Sequence, residues 1–249
     1  MEIRRLQPDP SGIDLEALLD ELGWGADAPP DRPRLALNMI TTLDGKAAVG
    51  GRTRGMGNAA DRALFHGLRA RTDAVMVGAG TARLERYGPL VRDPDARARR
   101  AAAGRPAHPL ACVVSGRLEL PADLPLLEDA ESRVLVSTRT DDELQPAAAT
   151  VEYFRQRTPE LRPLLEALRT KHEVETVLCE GGPTLNAQLL LEGLVDELFL
   201  SLSPKLVGGA DALTIVAGVP LPEAVDLDLI WSLESDGYLF NRYRVHRGA

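Results

Sequence analysis

The stretch that decides the fold is TVLCEGGPTLNAQLL, residues 176–190. It begins with Val177 to Cys179, a short apolar run bounded by polar and turn residues, as is typical of a buried strand. Gly181 and Gly182 follow as a turn, and Pro183 suits the first position of a helix, where an N–H group has no intrahelical partner. The stretch therefore predicts a buried strand that leads through a glycine turn directly into a helix.

This strand–turn–helix arrangement is one that binds anions. The unpaired N–H groups and the dipole at a helix start attract phosphate, and glycines let a ligand approach the backbone. Glu180 would repel a bare phosphate, so we expect it to face a hydroxyl or amino group of a second ligand beside the phosphate. An ordinary turn with an exposed Glu180 is the alternative that this segment alone leaves open.

Composition limits the class of protein. The 249 residues, of which 44% are hydrophobic, can bury the core of one large domain or two small ones. Aromatic residues make up 4%, which is too few for a base-stacking platform, and 37 acidic against 29 basic residues give a net charge of −8. We therefore expect no nucleic-acid partner, and any phosphate site must be local.

The cysteines and the apolar runs bear on location. Cys112 and Cys179 lie inside apolar strand-like runs, which predicts buried free thiols and fits a reducing cytoplasm. No run reaches the ~20 apolar residues that a membrane-spanning helix needs, and the N-terminus lacks an apolar segment behind its charges. The sequence thus predicts an untargeted, cytoplasmic protein with no membrane partner.

Periodicity along the chain indicates an α/β protein. We expect an N-terminal helix over 13–22 on a proline-rich tether that ends at residue 33, followed by a main domain over 34–249. Strands are predicted at 34–41, 73–77, 110–115, 133–138, 150–154, 176–179, 196–203 and 237–245, and helices at 59–71, at 161–172 and from Pro183. Strands with intervening helices imply a mixed, mainly parallel sheet flanked by helices, with an antiparallel edge from the C-terminal strands. The residues between 82 and 109 are expected to form a loop whose arginines are mostly solvated.

Two further segments follow strands and are candidate ligand loops. TTLDGK, residues 41–46, follows the first strand of the main domain and could line a crevice at the carboxyl end of a parallel sheet. GAGT, residues 78–81, could admit a flat cofactor, but Arg83 stands where the dinucleotide fingerprint requires its third glycine. Arg69, at the end of a predicted helix, could bind a substrate phosphate through two parallel hydrogen bonds.

The remaining chemistry points to a cofactor. The histidines show no metal-ligand spacing, so no metal site is predicted, and there is no nucleophile elbow. A reaction whose hard chemistry is carried by a cofactor remains, and hydride transfer is the natural case.

Several segments together resemble the pyrimidine reductases of riboflavin biosynthesis, which are related in fold to dihydrofolate reductase. The likeness is to the C-terminal reductase domain of the bifunctional deaminase–reductase, and it is closest to a stand-alone actinobacterial branch. The segments are TTLDGK, ADRALFHGLRARTDAVMVGAGT, CEGGPTLNAQLLLEGLVDELFLSLSPKLVGG, GAGTARLERYG and SDGYLFNRY. Their joint order is far more specific than any one of them.

The resemblance implies a homodimer that uses NADPH to deliver hydride to the ribosyl C1′ of 5-amino-6-(5-phosphoribosylamino)uracil or a related pyrimidine. The positions implied for the cofactor are Thr41, Thr81, Glu85, Gly181, Gly182, Pro183, Thr184, Leu185 and Asn186. The positions implied for the substrate are Asn38, Thr53, Arg69, Arg92 and Glu180. Glu180 and Asp44 are our candidate catalytic residues for proton delivery, and Asp44 would also shape the turn over both ligands.

The chain departs from the family pattern at several positions. Asn38 stands where many members have a lysine, Gly55 and Met56 replace a Trp-Ile pair, and Glu85 replaces an aspartate. The lost charge weakens the case for the riboflavin precursor more than the case for NADPH. The zinc-deaminase signature of the bifunctional members does not occur. Reduction of dihydrofolate or another pterin is therefore one alternative function, and non-catalytic NADP binding is another.

Overall fold

The computed structural model describes residues 1–8, 11–24, 28–145, 147–209 and 213–246. Residues 25–27 of the expected tether and residues 247–249 of the expected main domain lie outside this part. The strands are β1 (Arg4–Gln7), β2 (Ser11–Gly12), β3 (Arg34–Thr42), β4 (Ala74–Gly78), β5 (Leu110–Val114), β6 (Arg133–Thr138), β7 (Thr150–Arg155), β8 (Thr176–Cys179), β9 (Glu197–Ser203), β10 (Leu227–Ser235) and β11 (Tyr238–Val245). The helices are α1 (Leu15–Asp20), α2 (Ala59–Arg71), α3 (Ala79–Leu84), α4 (Pro94–Ala102), α5 (Pro125–Glu128), α6 (Arg162–Lys171) and α7 (Pro183–Leu191).

The chain divides into two compact units. The first unit contains Met1–Gly23, Leu35–Gly67 and the chain from Glu180 onward. The second contains Trp24–Arg34 and Leu68–Cys179. The expected division at residue 33 into a tether and a main domain stays a prediction.

The first unit holds the antiparallel strands. Its hydrogen-bonded order is β2-β1-β10-β11-β9-β3, in which β9 and β3 run parallel and the other described pairs run antiparallel. Thr42, the last residue of β3, is in register with Ser203, the last residue of β9. Because parallel strands end at the same edge, the turn after Thr42 and the loop after Ser203 leave the sheet side by side.

The second unit holds a parallel sheet in the order β8-β4-β5-β6-β7, and every described pair in it is parallel. Four of its strands, β8, β4, β5 and β6, are mostly apolar and buried, as expected when both faces of a parallel sheet are covered, whereas β7 at the end of the order has no buried residue. Val75, Val113 and Val136 belong to its core. Together the two units confirm the predicted α/β class, with parallel strands flanked by helices and antiparallel strands at the C-terminal end of the chain.

The two cysteines are buried in the second unit and carry free thiols, as predicted. Both pair in register with Met76, one on each neighbouring strand. Burial, with a smaller contribution from Cys179, raises the pKa of Cys112 to about 12. The thiols therefore act as small apolar core groups.

The predicted N-terminal helix is present as α1 and packs within the first unit. The Asp14 side chain caps it by accepting from the N–H of Glu16, and Leu15, Leu18 and Leu19 are buried. After its end, the carbonyl of Leu22 accepts a hydrogen bond from Arg242. The strand β1, which the sequence reading did not predict, pairs with β10 in the same unit.

The expected arginine-rich loop contains α4, so this prediction was wrong. Asp93 caps the helix by accepting from the N–H groups of Asp95 and Ala96, and Pro94 occupies a first-turn position. Arg100 is 3% exposed and donates to the carbonyls of Ala70 and Thr72. Those carbonyls lie at the C-terminal end of α2, where a helix leaves acceptors unsatisfied. Across the described residues, no helix is both long and apolar enough to cross a bilayer.

Candidate functional site

In the first unit, the candidate catalytic residue Asp44 lies at the shared end of β3 and β9. Its carboxylate accepts from the Thr42 hydroxyl at 2.5 Å and from the N–H groups of Val207 and Gly208 at 3.2 and 2.7 Å. The hydrogen bond from Thr42 contributes most to lowering the pKa of Asp44 to about 2, and the hydrogen bond from Gly208 contributes next. A group with this pKa is ionised at neutral pH and is unsuited to donate a proton. The structure thus supports Asp44 as a residue that shapes the turn and not as the proton donor.

The glycine-rich segment, residues 50–58, carries the candidate substrate residue Thr53. The N–H of Met56 donates to the carbonyl of Thr53 at 3.0 Å, which closes a tight turn. Gly55, the third residue of this turn, has a φ of 89°, a value that favours glycine in turns of type II. Thr53 is exposed at the start of the turn, whereas Met56 is fully buried at its end.

Two candidate residues on β3 point to opposite faces, because side chains three positions apart on a strand alternate. Asn38 is half-buried and lies in register with Phe199 of β9. Thr41 is 6% exposed, and its hydroxyl lies 3.2 Å from the carbonyls of Thr42 and Lys46. Asn38 is therefore accessible to a ligand, while the Thr41 hydroxyl serves the turn that follows it.

The start of α7 has the geometry expected for an anion site. Gly182 is its N-cap and has extended backbone, and no side chain of the described residues caps it. Pro183 occupies the first turn, and Thr184 is exposed. Because the first N–H groups of a helix have no intrahelical partner, a diphosphate could accept from those of Thr184 and Leu185. Glu180, immediately before the glycines, is buried at 7% exposure.

The Asn186 amide, which the resemblance places at the cofactor, makes hydrogen bonds within the first unit. The side chain is fully buried and donates to the carbonyl of Ile215 at 2.8 Å and to the Met39 sulfur at 3.2 Å. The N–H of Ala217 also donates to the carbonyl of Pro183. These bonds hold residues 215–217 against the first turn of α7. Leu185 is buried too, which leaves Gly182, Pro183 and Thr184 as the accessible candidates there.

In the second unit, the candidates Thr81 and Glu85 belong to a short helix and its cap. The candidate ligand loop GAGT is largely helical, because α3 begins directly after β4, and the N–H of Glu85 donates to the carbonyl of Thr81 at 2.9 Å. Both side chains are half-buried. They are thus held one helical turn apart on the same short helix.

The structure brings the two candidate phosphate ligands of the second unit to one place. Arg69 is 8% exposed, and its guanidinium lies 5.1 Å from the ring centroid of Tyr87. The exposed Arg92 places its Nη2 atom 2.8 Å from the position that a Cβ on Gly88 would take. Both guanidinium groups therefore border the Tyr87–Gly88 segment. The sequence did not predict Tyr87 as a residue of the candidate site.

Among the residues that the structure describes, one cluster could supply metal ligands: His108, Asp129 and Glu131. The N–H of Val91 donates to Nδ1 of His108, which places the ring proton of the neutral histidine on Nε2. Nε2 lies 3.5 Å from Oδ2 of Asp129, and Glu131 pairs with Arg97. Burial lowers the pKa of His108, so the neutral form is favoured. The arrangement fits a hydrogen-bonded structural cluster and leaves Nε2 without a lone pair for a metal.

Comparison with known proteins gives consistent matches. Residues 33–238 match the RibD C-terminal domain family. The chain is 33% identical over 200 residues to the 2,5-diamino-6-ribosylamino-4(3H)-pyrimidinone 5′-phosphate reductase of Methanothermobacter thermautotrophicus, covering 78% of this chain and 88% of that one. It is 32% identical to the reductase of the same name from Archaeoglobus fulgidus, covering 75% of this chain and 87% of that one.

A solved structure supports the same assignment. The pyrimidine reductase-like protein of Corynebacterium diphtheriae superposes with a TM-score of 0.79 at 25% identity, covering 95% of this chain and all of that one. These matches confirm the predicted fold class. They also confirm the resemblance to the stand-alone reductases of riboflavin biosynthesis, and they identify the protein as an oxidoreductase. The chain belongs to the RibD C-terminal domain family.

Proposed function

We propose that this chain is an NADPH-dependent reductase that converts a ribosylaminopyrimidine 5′-phosphate into the ribitylamino product. The observation that carries the proposal is the start of α7, where the glycine N-cap lies two residues after the buried Glu180. This places an anion-binding backbone next to a polar group that could meet a second ligand. Membership of a reductase family supports a cofactor and a substrate as the two ligands.

The residues at the start of α7 suit the diphosphate of a dinucleotide. The N–H groups of the first turn supply donors without a charged side chain, and the exposed Thr184 hydroxyl can add another. NADPH, when bound, would supply the hydride. Thr81 and Glu85 are proposed to lie beside it on the evidence of the resemblance alone.

The reaction needs one hydride and one proton. The C1′–O4′ bond of the ribosyl group breaks, a C1′–H bond forms with the hydride, and the proton goes to O4′, so the ring opens to the ribityl chain. Glu180 is the proposed proton donor, because it is buried beside the glycine turn, whereas Asp44 is ionised.

The proposed substrate is 2,5-diamino-6-ribosylamino-4(3H)-pyrimidinone 5′-phosphate, after which the two stand-alone relatives are named. 5-Amino-6-(5-phosphoribosylamino)uracil has the same ribosyl phosphate and differs in the pyrimidine ring. We propose that Arg69 and Arg92 bind the phosphate, since guanidinium groups suit its oxygens, and that Thr53 and Asn38 make neutral contacts to the substrate.

We further propose a homodimer in the cytoplasm. Several apolar side chains of the first unit are exposed, among them Leu206 at 77%, Leu213 at 50% and Val219 at 68%. Exposed apolar groups favour association when they form a patch. The buried free thiols suit a reducing compartment. Light scattering on the purified protein would measure the oligomeric state.

The test is turnover by the purified protein of both pyrimidines and of dihydrofolate. Each would be supplied with NADPH and, separately, with NADH, while the nicotinamide absorbance is followed and the product is identified by mass spectrometry. We expect loss of NADPH absorbance together with a ribitylamino product that is two hydrogens heavier than the substrate. Dihydrofolate turnover without pyrimidine turnover would instead support a pterin reductase. NADPH binding with no turnover of any candidate would support the non-catalytic alternative.

A further inference from the structure

Lys205, in the loop that follows β9, joins two segments that carry candidate site residues. Its Nζ donates to the carbonyl of Gly55 at 3.0 Å, to the carbonyl of Met56 at 3.3 Å and to the hydroxyl of Tyr238 at 2.7 Å. Nζ also lies 5.3 Å from the centroid of the Tyr238 ring. An ammonium group has three N–H donors, so these bonds use all of them.

These contacts hold one end of the turn that carries Thr53. Gly55 and Met56 are the last two residues of that turn, and the Ser203 hydroxyl also donates to the carbonyl of Met56, at 2.9 Å. The backbone of Lys205 reaches the other segment, because its carbonyl accepts from the N–H of Leu43, the neighbour of Asp44. The same residue therefore touches both the Thr53–Met56 turn and the turn of Asp44.

We propose that Lys205 is a positioning residue, which fixes the Thr53–Met56 turn so that Thr53 is presented to the substrate. The inference rests on the proposed function, under which Thr53 meets the pyrimidine nucleotide. Lys205 acts through the turn, because its three donors are already used within the protein. Hydrogen bonds from a charged donor are stronger than neutral ones, so the ammonium is a suitable group for this task.

The departures of this chain explain why the turn is anchored through its backbone. Gly55 stands where the pyrimidine reductase family has a tryptophan, so position 55 has no side chain that could pack and hold the turn. The Met56 side chain is fully buried and provides one anchor. The carbonyl groups of residues 55 and 56 provide the second anchor, since Lys205 binds them whatever side chain is present.

Steady-state kinetics of three variants test the proposal. Lys205→Met removes all three hydrogen bonds, Lys205→Arg keeps the charge and donors, and Tyr238→Phe removes one bond. Lys171→Met, at an exposed position on α6, is the matched control. For Lys205→Met we expect the KM of the pyrimidine to rise about tenfold, with the KM of NADPH within about twofold of wild type. Lys205→Arg should recover part of the loss, and Tyr238→Phe should have a smaller effect.

Limited proteolysis measures the turn directly. Trypsin cuts after arginine, and Arg52 and Arg54 are exposed on either side of Thr53. Mass spectrometry would follow cleavage there relative to cleavage after Arg117, an exposed site elsewhere. We expect Lys205→Met to be cut several-fold faster at Arg52 and Arg54 than wild type, with no change at Arg117.

Three results would overturn the inference. One is an unchanged pyrimidine KM in Lys205→Met, and another is equal cleavage at Arg52 and Arg54 in variant and wild type. The third is a parallel loss of every kinetic constant that follows a lower melting temperature and is not relieved by Lys205→Arg. If the wild type reduced no pyrimidine, the proposed function would fail, and the cleavage rates would still decide whether Lys205 holds the turn.

Discussion

At the scale of single residues, the two candidate carboxylates occupy environments that suit different tasks. Asp44 is exposed and accepts three hydrogen bonds, which keep its pKa near 2. Glu180 is buried beside the glycine turn before α7. Asp44 therefore stays an anion that organises two loops, and Glu180 remains the proposed acid.

The paired variants Asp44→Asn and Glu180→Gln should separate these roles. Glu180→Gln should lower kcat by about a hundredfold or more, the usual cost of losing a general acid. Asp44→Asn should lower kcat/KM by about tenfold through a disordered turn, with the shape of the pH profile unchanged between about pH 5 and 9. Turnover from pH 5 to 9 is the measurement. Wild-type turnover in Glu180→Gln would remove Glu180 from the mechanism.

The sign of the Asp44 effect on stability follows from its lowered pKa. A carboxylate whose pKa is lower in the folded state stabilises the fold above its ordinary pKa of about 3.9. That contribution is lost as the pH falls from about 4 to about 2, the value in the folded protein. Acid titration of the wild type should therefore show a step of destabilisation in this window that is smaller in Asp44→Asn. An equal step in both proteins would assign the acid sensitivity to other carboxylates.

At the scale of elements, a buried ion pair ties α1 to the antiparallel strands of the first unit. Arg242 of β11 binds both carboxylate oxygens of Glu197 at 2.8 and 3.0 Å and donates to the carbonyl of Leu22 beyond α1. The Glu197 side chain is 1% exposed and that of Arg242 is 11% exposed. At this depth, removing one partner leaves a buried charge without compensation.

A double-mutant cycle tests this pair. Arg242→Met should lower the free energy of unfolding by about 3–5 kcal/mol, because Glu197 is left buried without its counter-charge. Glu197→Met together with Arg242→Met should cost less than the sum of the single changes, since no lone charge remains. Urea unfolding of the four proteins gives these energies. Additive effects would show that the two residues stabilise the unit independently.

Elements with strong local sequence patterns could be predicted, whereas elements that depend on pairing with a distant segment of the chain could not. The helix over Ala59–Arg71 and the strand over Thr176–Cys179 have the predicted bounds. The strand β1 is short and largely exposed, so its place depends on pairing with β10 and leaves no apolar pattern. The helix α4 was missed because its arginines and alanines lack an apolar stripe, although Asp93 before Pro94 was a usable N-terminal signal.

The candidate site shows the same limit. The turn before α7 could be predicted from its two glycines. The φ of 88° at Gly181 is a value that favours glycine, so residue type and backbone conformation agree there. The task of Asn186 could not be read in the same way, since it depends on Ile215, which is distant in sequence. Lys205 likewise lies between the predicted strands 196–203 and 237–245, and its bonds to residues 55 and 56 depend on the fold.

At the scale of the whole molecule, NADPH binding should be visible as a gain in stability, because a ligand that binds only the folded state stabilises it. At a concentration about 100 times Kd the gain is about 2.7 kcal/mol, which raises the melting temperature of a chain of this size by about 5–10 °C.

Thr184→Asp adds a carboxylate to the exposed first turn of α7, where it suits the helix dipole but repels phosphate. This variant should keep the melting temperature of the ligand-free protein and lose most of the NADPH shift. Thr158→Asp, at another exposed threonine, should keep the shift. Equal shifts in both variants would place the dinucleotide phosphates away from α7.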